Sequence, residues 1–197
     1  MAGLTREIHF HQATRIWVQP ANLLRYTPLL SRFTNVTTLN FGNLFTAAFT
    51  ATSASKCFKP FIAGVQNLRL YHPITRPTSL MKFILLFSAA VHIQISGPRW
   101  SAADEIDEID SNSTPQEESG FTGVLHLHGF GEKWPQFLVL LSARRLRFQK
   151  LRLQRCEFNT SVPTQSLLQA VSRSACTLHL EGGGRRGLDF TLSREPG

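Results

Sequence analysis

Pairs of apolar residues separated by one polar residue recur along this chain at a near-constant interval, and this spacing constrains the fold more than any other feature. Seven such pairs occur: Ile8/Phe10, Leu39/Phe41, Leu68/Leu70, Ile93/Ile95, Leu125/Leu127, Leu151/Leu153 and Leu178/Leu180. The gaps between their first members are 31, 29, 25, 32, 26 and 27 residues. Self-similarity at such a period is typical of chains that stack one supersecondary unit on the next.

The alternation within each pair predicts a β-strand with two different faces. Successive side chains of a strand point to opposite faces, so the two apolar members point into a core and the residue between them points away. These middle residues are all polar: His9, Asn40, Arg69, Gln94, His126, Arg152 and His179. A sheet buried on both faces would place apolar residues there. We therefore expect a sheet with one buried face and one solvated face.

The fullest copy of the repeat lies at 148–158, where apolar or small residues fall in the order L-x-x-L-x-L-x-x-C-x-L, with Phe at both ends. This order is that of the leucine-rich repeat, for which periods of about 20–29 residues are usual. Four of the six gaps fit that range and two exceed it. The prediction is an α/β fold, a leucine-rich-repeat-like solenoid of about seven rungs, with parallel strands on the concave face and returning helices between them.

Several connecting segments have helical spacing. Leu80–Phe87 and Trp134–Leu141 place apolar residues at i, i+3, i+4 and i+7, and 163–171 carries a third stripe. We expect Thr78 or Ser79 to cap the first of these helices. A short helix at 22–25 should be ended or kinked by Pro28, and 46–58 has only modest helix propensity.

The apolar run from Leu80 to Ile95 contains Lys82, His92 and Gln94, and its period changes partway. It therefore predicts a helix followed by a strand, and no membrane span is expected.

The middle of the chain has a different composition. Seven of the thirteen acidic residues lie between Asp104 and Glu118. We expect one solenoid domain in three parts: rungs one to four at 1–97, an acidic flexible insert at 98–120, and rungs five to seven plus a C-terminal strand at 121–197.

Outside this insert the chain is basic, with a formal net charge of +8 for the whole sequence. The cysteines Cys57, Cys156 and Cys176 are far apart and lack C-x-x-C spacing, which argues against a disulfide framework or a zinc site. The cysteine usage favours a reducing compartment, so a cytoplasmic or nuclear location is expected. The acid-poor first hundred residues leave a mitochondrial transit peptide open as an alternative.

Three segments carry a family resemblance: GVQNLRLYHP at 64–73, the stretch 121–158, and PTQSLLQAVSRSACTLHLEGG at 163–183. Over roughly residues 4–192 the chain resembles the leucine-rich repeat region of fungal F-box-type proteins. The resemblance implies repeats that recruit a target protein for ubiquitination. No Leu-Pro-x-Glu-like opening precedes the first repeat, so the F-box itself is not present. A Skp1-type adaptor is therefore expected as a partner only if an F-box lies outside this chain.

These observations favour a non-enzymatic protein-interaction scaffold, with substrate recognition for an SCF-type ubiquitin ligase as its specific form. The alternatives are a basic nucleic-acid-binding protein, or an incomplete gene product without independent function. The predicted partner-binding residues line the concave face: His9, Asn40, Arg69, Tyr71, Gln94, His126, His128, Lys150, Arg152, Gln154 and His179.

No catalytic residue, metal ligand or cofactor is predicted. No serine has a G-x-S-x-G setting, and burial of Cys156 should raise its thiol pKa. Histidines recur on the polar face, His11 included, but no set of three or four convergent zinc ligands is evident.

A basic cluster is the best candidate for contact with phosphate or an acidic partner. Its members are Arg144, Arg145, Arg147, Lys150, Arg152 and Arg155. Only Lys150 and Arg152 should share the concave face.

Overall fold

The fold is a mixed α/β arrangement in which one large sheet is covered on one face by helices. The computed structural model describes residues 5–10, 23–44, 46, 51–59, 62–87, 89–101, 123–143, 148–156, 164–181 and 189–193. In the large sheet, seven parallel strands follow one another in chain order and an eighth pairs antiparallel at the end. The predicted α/β class with parallel strands is confirmed.

The strands of the large sheet are four to seven residues long. They are β1 (Glu7–Phe10), β2 (Thr38–Gly42), β3 (Asn67–Tyr71), β5 (His92–Ser96), β7 (Val124–His128), β8 (Phe148–Gln154), β9 (Ala175–Glu181) and β10 (Asp189–Ser193). Two further strands, β4 (Ile74–Thr75) and β6 (Arg99–Trp100), form a separate parallel pair.

The strand register places the seven predicted pairs in line across the sheet. The first members, from Ile8 to Leu178, occupy one row, and the second members, from Phe10 to Leu180, occupy another. From Leu39 to Leu153 every member of both rows is at most 2% exposed. The sequence-derived register is therefore confirmed for all seven parallel strands.

The chain turns in the same way after five of these strands. The residue that follows each one has a left-handed backbone conformation, with φ between 49° and 60°: Asn43, His72, Gly97, Gly129 and Arg155. Each of their N–H groups donates to a carbonyl oxygen of the next strand, over 2.8–3.0 Å. This repeated turn extends the sheet ladder by one bond and sets the direction in which the chain leaves each strand.

Helices occupy the connections. They are α1 (Thr27–Leu30), α2 (Ala51–Phe58), α3 (Pro77–Leu85), α4 (Trp134–Ala143), which follows a 3-10 turn at Gly131–Lys133, and α5 (Thr164–Ser174). Each of these helices contacts the next one in order. The helix-then-strand prediction for Leu80 to Ile95 is thus confirmed by α3 and β5.

Phenylalanine rings fill the space between the sheet and the helices. Phe41 of β2 lies with its ring centroid 5.4 Å from that of Phe58 in α2 and 5.8 Å from that of Phe83 in α3. All three rings are nearly inaccessible to solvent. Because aromatic edge-to-face contacts add to the burial of large apolar area, this cluster ties β2 to helices α2 and α3.

Leu23 and Leu24 are helical and a turn follows at 25–26, so the predicted short helix ends ahead of Pro28, which itself lies in the first turn of the next helix, α1, where its missing N–H costs nothing. The predicted cap of α3 is wrong. The cap of α3 is Arg76 in an extended conformation, followed by Pro77 at the first helical position, so neither Thr78 nor Ser79 caps it. In both α1 and α3 a proline in the first turn presets the helical φ.

The first residues of the predicted acidic insert, 98–120, have defined secondary structure. Residues 98–101 belong to the fold, since Pro98 is buried and Arg99–Trp100 form β6. The indole N–H of Trp100 donates to the carbonyl oxygen of Phe130 over 3.3 Å. The remainder of the insert, 102–120, lies outside the described residues.

The expected last strand is confirmed as β10, which pairs antiparallel with β9. Among the described helices, none is long and apolar enough to cross a membrane.

Candidate functional site

The face of the large sheet opposite the helices carries three rows of aligned side chains, which we call the polar face. The central row holds the predicted middle residues, and the flanking rows lie two residues before and two residues after them. The leading row is Glu7, Thr38, Asn67, His92, Val124, Lys150 and Thr177, and the trailing row is Gly42, Tyr71, Ser96, His128, Gln154 and Glu181. Val124 is the only aliphatic side chain in these rows.

All eleven predicted partner-binding residues lie on this face. His9 and Arg69 are exposed, and eight of the other nine residues are half-buried. These eight are Tyr71, Gln94, His126, His128, Lys150, Arg152, Gln154 and His179. The sequence pattern therefore predicted which side of the sheet each of these residues occupies.

Asn40 departs from the expected exposure. Only 1% of its surface is accessible, and its Nδ2 donates to Oε1 of Glu7 over 2.6 Å. The same carboxylate oxygen lies 3.2 Å from Nε2 of His9 and 3.9 Å from a guanidinium nitrogen of Arg69. Strands β1 and β3 flank Asn40 on both sides, so its amide binds a neighbouring carboxylate and is not available at the surface.

A second group of hydrogen bonds joins β7, β8 and β9. Nε2 of His126 lies 3.1 Å from Oε1 of Gln154, and Nε2 of Gln154 donates to Oε1 of Glu181 over 2.8 Å. A guanidinium N–H of Arg152 donates to the other carboxylate oxygen of Glu181 over 2.9 Å. Because the Gln154 amide nitrogen is a donor to Glu181, its oxygen must accept, so Nε2 of His126 carries a proton.

This arrangement shifts two pKa values. The hydrogen bond from Arg152, assisted by the one from Gln154, lowers the pKa of Glu181 and keeps it ionised. Burial and the nearby charge of Arg152 lower the pKa of His126, while its bond to Gln154 opposes that change. Glu181 is therefore a stable anion beside a histidine that resists protonation.

The fixed charges on the polar face leave it slightly cationic. Glu7 and Glu181 lie on β1 and β9, whereas Arg69, Lys150 and Arg152 lie on β3 and β8. Lys150 forms no ion pair with any residue that the structure describes. Its ammonium group is thus a cation that other described side chains do not neutralise.

The sequence reasoning missed the leading row. Glu7, Asn67 and the exposed His92 lie on the polar face, and Asn67 donates to Oγ1 of Thr38 over 3.3 Å. The signal was present, because a residue two positions before a middle residue must share its face. The prediction extended the face only in the trailing direction, apart from Lys150.

Cys156 is buried, as predicted, and has a structural role. Its Sγ is 3.6 Å from the carbonyl oxygens of Leu127 and Gln154, close enough for weak S–H donation. Burial raises the pKa of its thiol to about 11. The thiol is therefore protonated at neutral pH and is a poor nucleophile.

The basic cluster is only partly described. Lys150 and Arg152 lie on the polar face as predicted, and Arg155 is exposed in the turn that follows β8. Arg144, Arg145 and Arg147, and also His11, lie outside the described residues. Within the described part of the chain, no group of three or more His, Cys, Asp or Glu side chains could hold a metal ion.

Comparisons of the chain with protein-family models, with curated proteins and with solved structures give no match.

Proposed function

We propose that this chain is a non-enzymatic interaction scaffold, a leucine-rich-repeat-like solenoid whose polar face binds another protein. The single observation that carries the proposal is the alignment of three polar rows on one face across seven parallel strands. Together these rows form a continuous surface of hydrogen-bond donors, acceptors and charges. Extended sheet faces of stacked repeats are well suited to recognising folded partners.

The solenoid arrangement is supported by how regularly the units repeat. Strand order follows chain order, five strands end in the same left-handed turn, and successive helices pack side by side. In a repeat protein each unit contacts mainly its neighbours, which this arrangement reproduces.

The family resemblance supports a specific role, the recognition of substrates for an SCF-type ubiquitin ligase. That role requires an F-box outside this chain to bind a Skp1-type adaptor. Sequencing the transcript upstream of the Met1 codon tests it. An encoded F-box supports the role, and an in-frame stop codon directly upstream contradicts it.

A protein partner is better supported than a nucleic acid. Nonspecific single-strand binding uses aromatic side chains as stacking platforms along a basic groove. In the three described rows, Tyr71 is the one aromatic residue other than histidine, and two carboxylates interrupt the cationic charge. These features fit mixed polar contacts with a protein surface.

Charge reversal on the polar face tests the proposal. We expect Arg69→Glu and Arg152→Glu each to reduce the amount of partner captured from a cell extract several-fold, because each reverses a charge at the contact surface. Lys56→Glu and Lys82→Glu are matched controls, since both lysines are exposed on helices α2 and α3 on the other side of the sheet. Equal capture by all four variants would contradict a binding site on the polar face.

A further inference from the structure

Strands β7, β8 and β9 bring most of the ionisable side chains of the polar face together. His126 and His128 lie on β7, Lys150 and Arg152 on β8, and His179 and Glu181 on β9. The register aligns His126 with Arg152 and His179 in one row, and His128 with Gln154 and Glu181 in the next. The group contains five basic side chains and one carboxylate.

The contacts of the single carboxylate, Glu181, indicate which kind of ligand this group of residues can bind. Glu181 receives one hydrogen bond from a guanidinium and one from a side-chain amide, one on each oxygen, over 2.9 and 2.8 Å. Two donors directed at the two oxygens of one carboxylate are a specific geometry. A carboxylate from another molecule that displaced Glu181 would meet the same donors, together with the ammonium of Lys150, which forms no ion pair among the described residues.

We propose that this part of the polar face, which we call the carboxylate site, binds an acidic peptide segment of a partner protein and binds it more tightly as the pH falls. The proposal rests on the proposed function and specifies the chemistry of the partner. A carboxylate of the peptide takes the place of Glu181 at Arg152 and Gln154, or binds beside it at Lys150. No covalent step is involved.

The pH dependence follows from the surroundings of His126. The charged and titratable groups that face it are His92 on β5, His128 on its own strand, Lys150 and Arg152 on β8, and His179 and Glu181 on β9. Burial and the nearby charge of Arg152 lower the pKa of His126, so its protonation is unfavourable in the free protein. Added carboxylates stabilise the imidazolium, so peptide binding takes up a proton and becomes stronger at lower pH.

A control for the carboxylate site lies on the other side of the sheet, where Lys82 is exposed on helix α3. Arg152→Gln and Lys82→Gln each remove one positive charge, the first from the carboxylate site and the second from the helical side. Only the first should affect a peptide bound at the carboxylate site.

The test measures binding of fluorescein-labelled hexaglutamate to the full chain by fluorescence anisotropy, at constant ionic strength and at pH 7.5 and 6.0. We expect tighter binding at pH 6.0, a loss of about tenfold or more in Arg152→Gln, and a gain in affinity in Glu181→Gln. Lys82→Gln should leave affinity unchanged, and His126→Gln should reduce the pH response. A gain of affinity cannot result from misfolding, so Glu181→Gln keeps the test decisive if Arg152→Gln is unstable.

Several results would overturn the proposal. They are equal binding of labelled hexaglutamine, equal effects of Lys82→Gln and Arg152→Gln, or an affinity that does not change with pH. If hexaglutamate fails to bind while partner capture still depends on Arg69 and Arg152, the acidic-peptide inference is wrong and the scaffold function stands. If capture is insensitive to both arginines, the scaffold function itself fails.

Discussion

At the scale of single residues, polar side chains on this sheet are held by specific partners and are not simply solvated. Asn40 is buried against Glu7, and Gln154 links His126 to Glu181. The alternating pattern could predict the face that each residue occupies, because the strand period is two. It could not predict these partners, since they lie 27–33 residues apart in sequence and depend on the register.

The shifted pKa values predict how stability changes with pH. His126 has a folded pKa below its ordinary value of 6.5, so the unfolded chain takes up more protons as the pH falls through 6.5. The stabilisation is complete above pH 6.5 and is lost below it. Glu181 acts in the same direction at lower pH, because its folded pKa lies below its ordinary value of 4.5.

We therefore expect the free energy of unfolding of the native chain, measured by urea denaturation, to fall between pH 7.5 and pH 5.0. The fall should be smaller in His126→Gln, which has no group that titrates at this position. A fall of the same size in both proteins would show that His126 does not contribute.

At the scale of elements, most of the strands could be predicted and the turns could not. Two apolar residues flanking a polar one identified all seven parallel strands, because each strand buries one face. The left-handed turn at Arg155 gave no signal, since arginine does not prefer that conformation. In the equivalent turns at Gly97 and Gly129, glycine adopts the left-handed conformation without strain, but a single glycine is also common in loops.

The close approach of β5 and β7 gives a prediction about Gly123, which precedes β7. A Cβ atom at this position would lie 1.6 Å from the carbonyl oxygen of Val91, which also accepts the N–H of Val124 over 2.7 Å. Gly123→Ala must separate the two backbones, so we expect it to lower the free energy of unfolding by about 3 kcal/mol or more.

Gly131→Ala is the matched control, because a Cβ atom there meets nothing within 4 Å and only the φ of 57° opposes alanine. Its cost should be about 1–2 kcal/mol. Thermal or urea unfolding of the two variants measures both values. A smaller loss in Gly123→Ala than in Gly131→Ala would contradict the close strand approach.

At the scale of the whole molecule, one face of the sheet forms the core and the other presents polar side chains. The face toward the helices holds the buried rows from Leu39 to Leu153 and the phenylalanine cluster, and the opposite face holds the three polar rows. The repeat spacing predicted this division, because a stacked unit must bury one side of its strand against its own returning segment. The spacing carries no information about the partner, which depends on how charges from different units are combined.

The central claim is that a partner protein contacts the polar face, and site-specific photo-crosslinking tests it most directly. A photoreactive amino acid at His92, exposed on β5, would lie on the polar face, and one at Lys82, exposed on α3, would lie on the helical side. We expect a crosslinked partner from position 92 and none from position 82. Crosslinks from position 82 alone would contradict it.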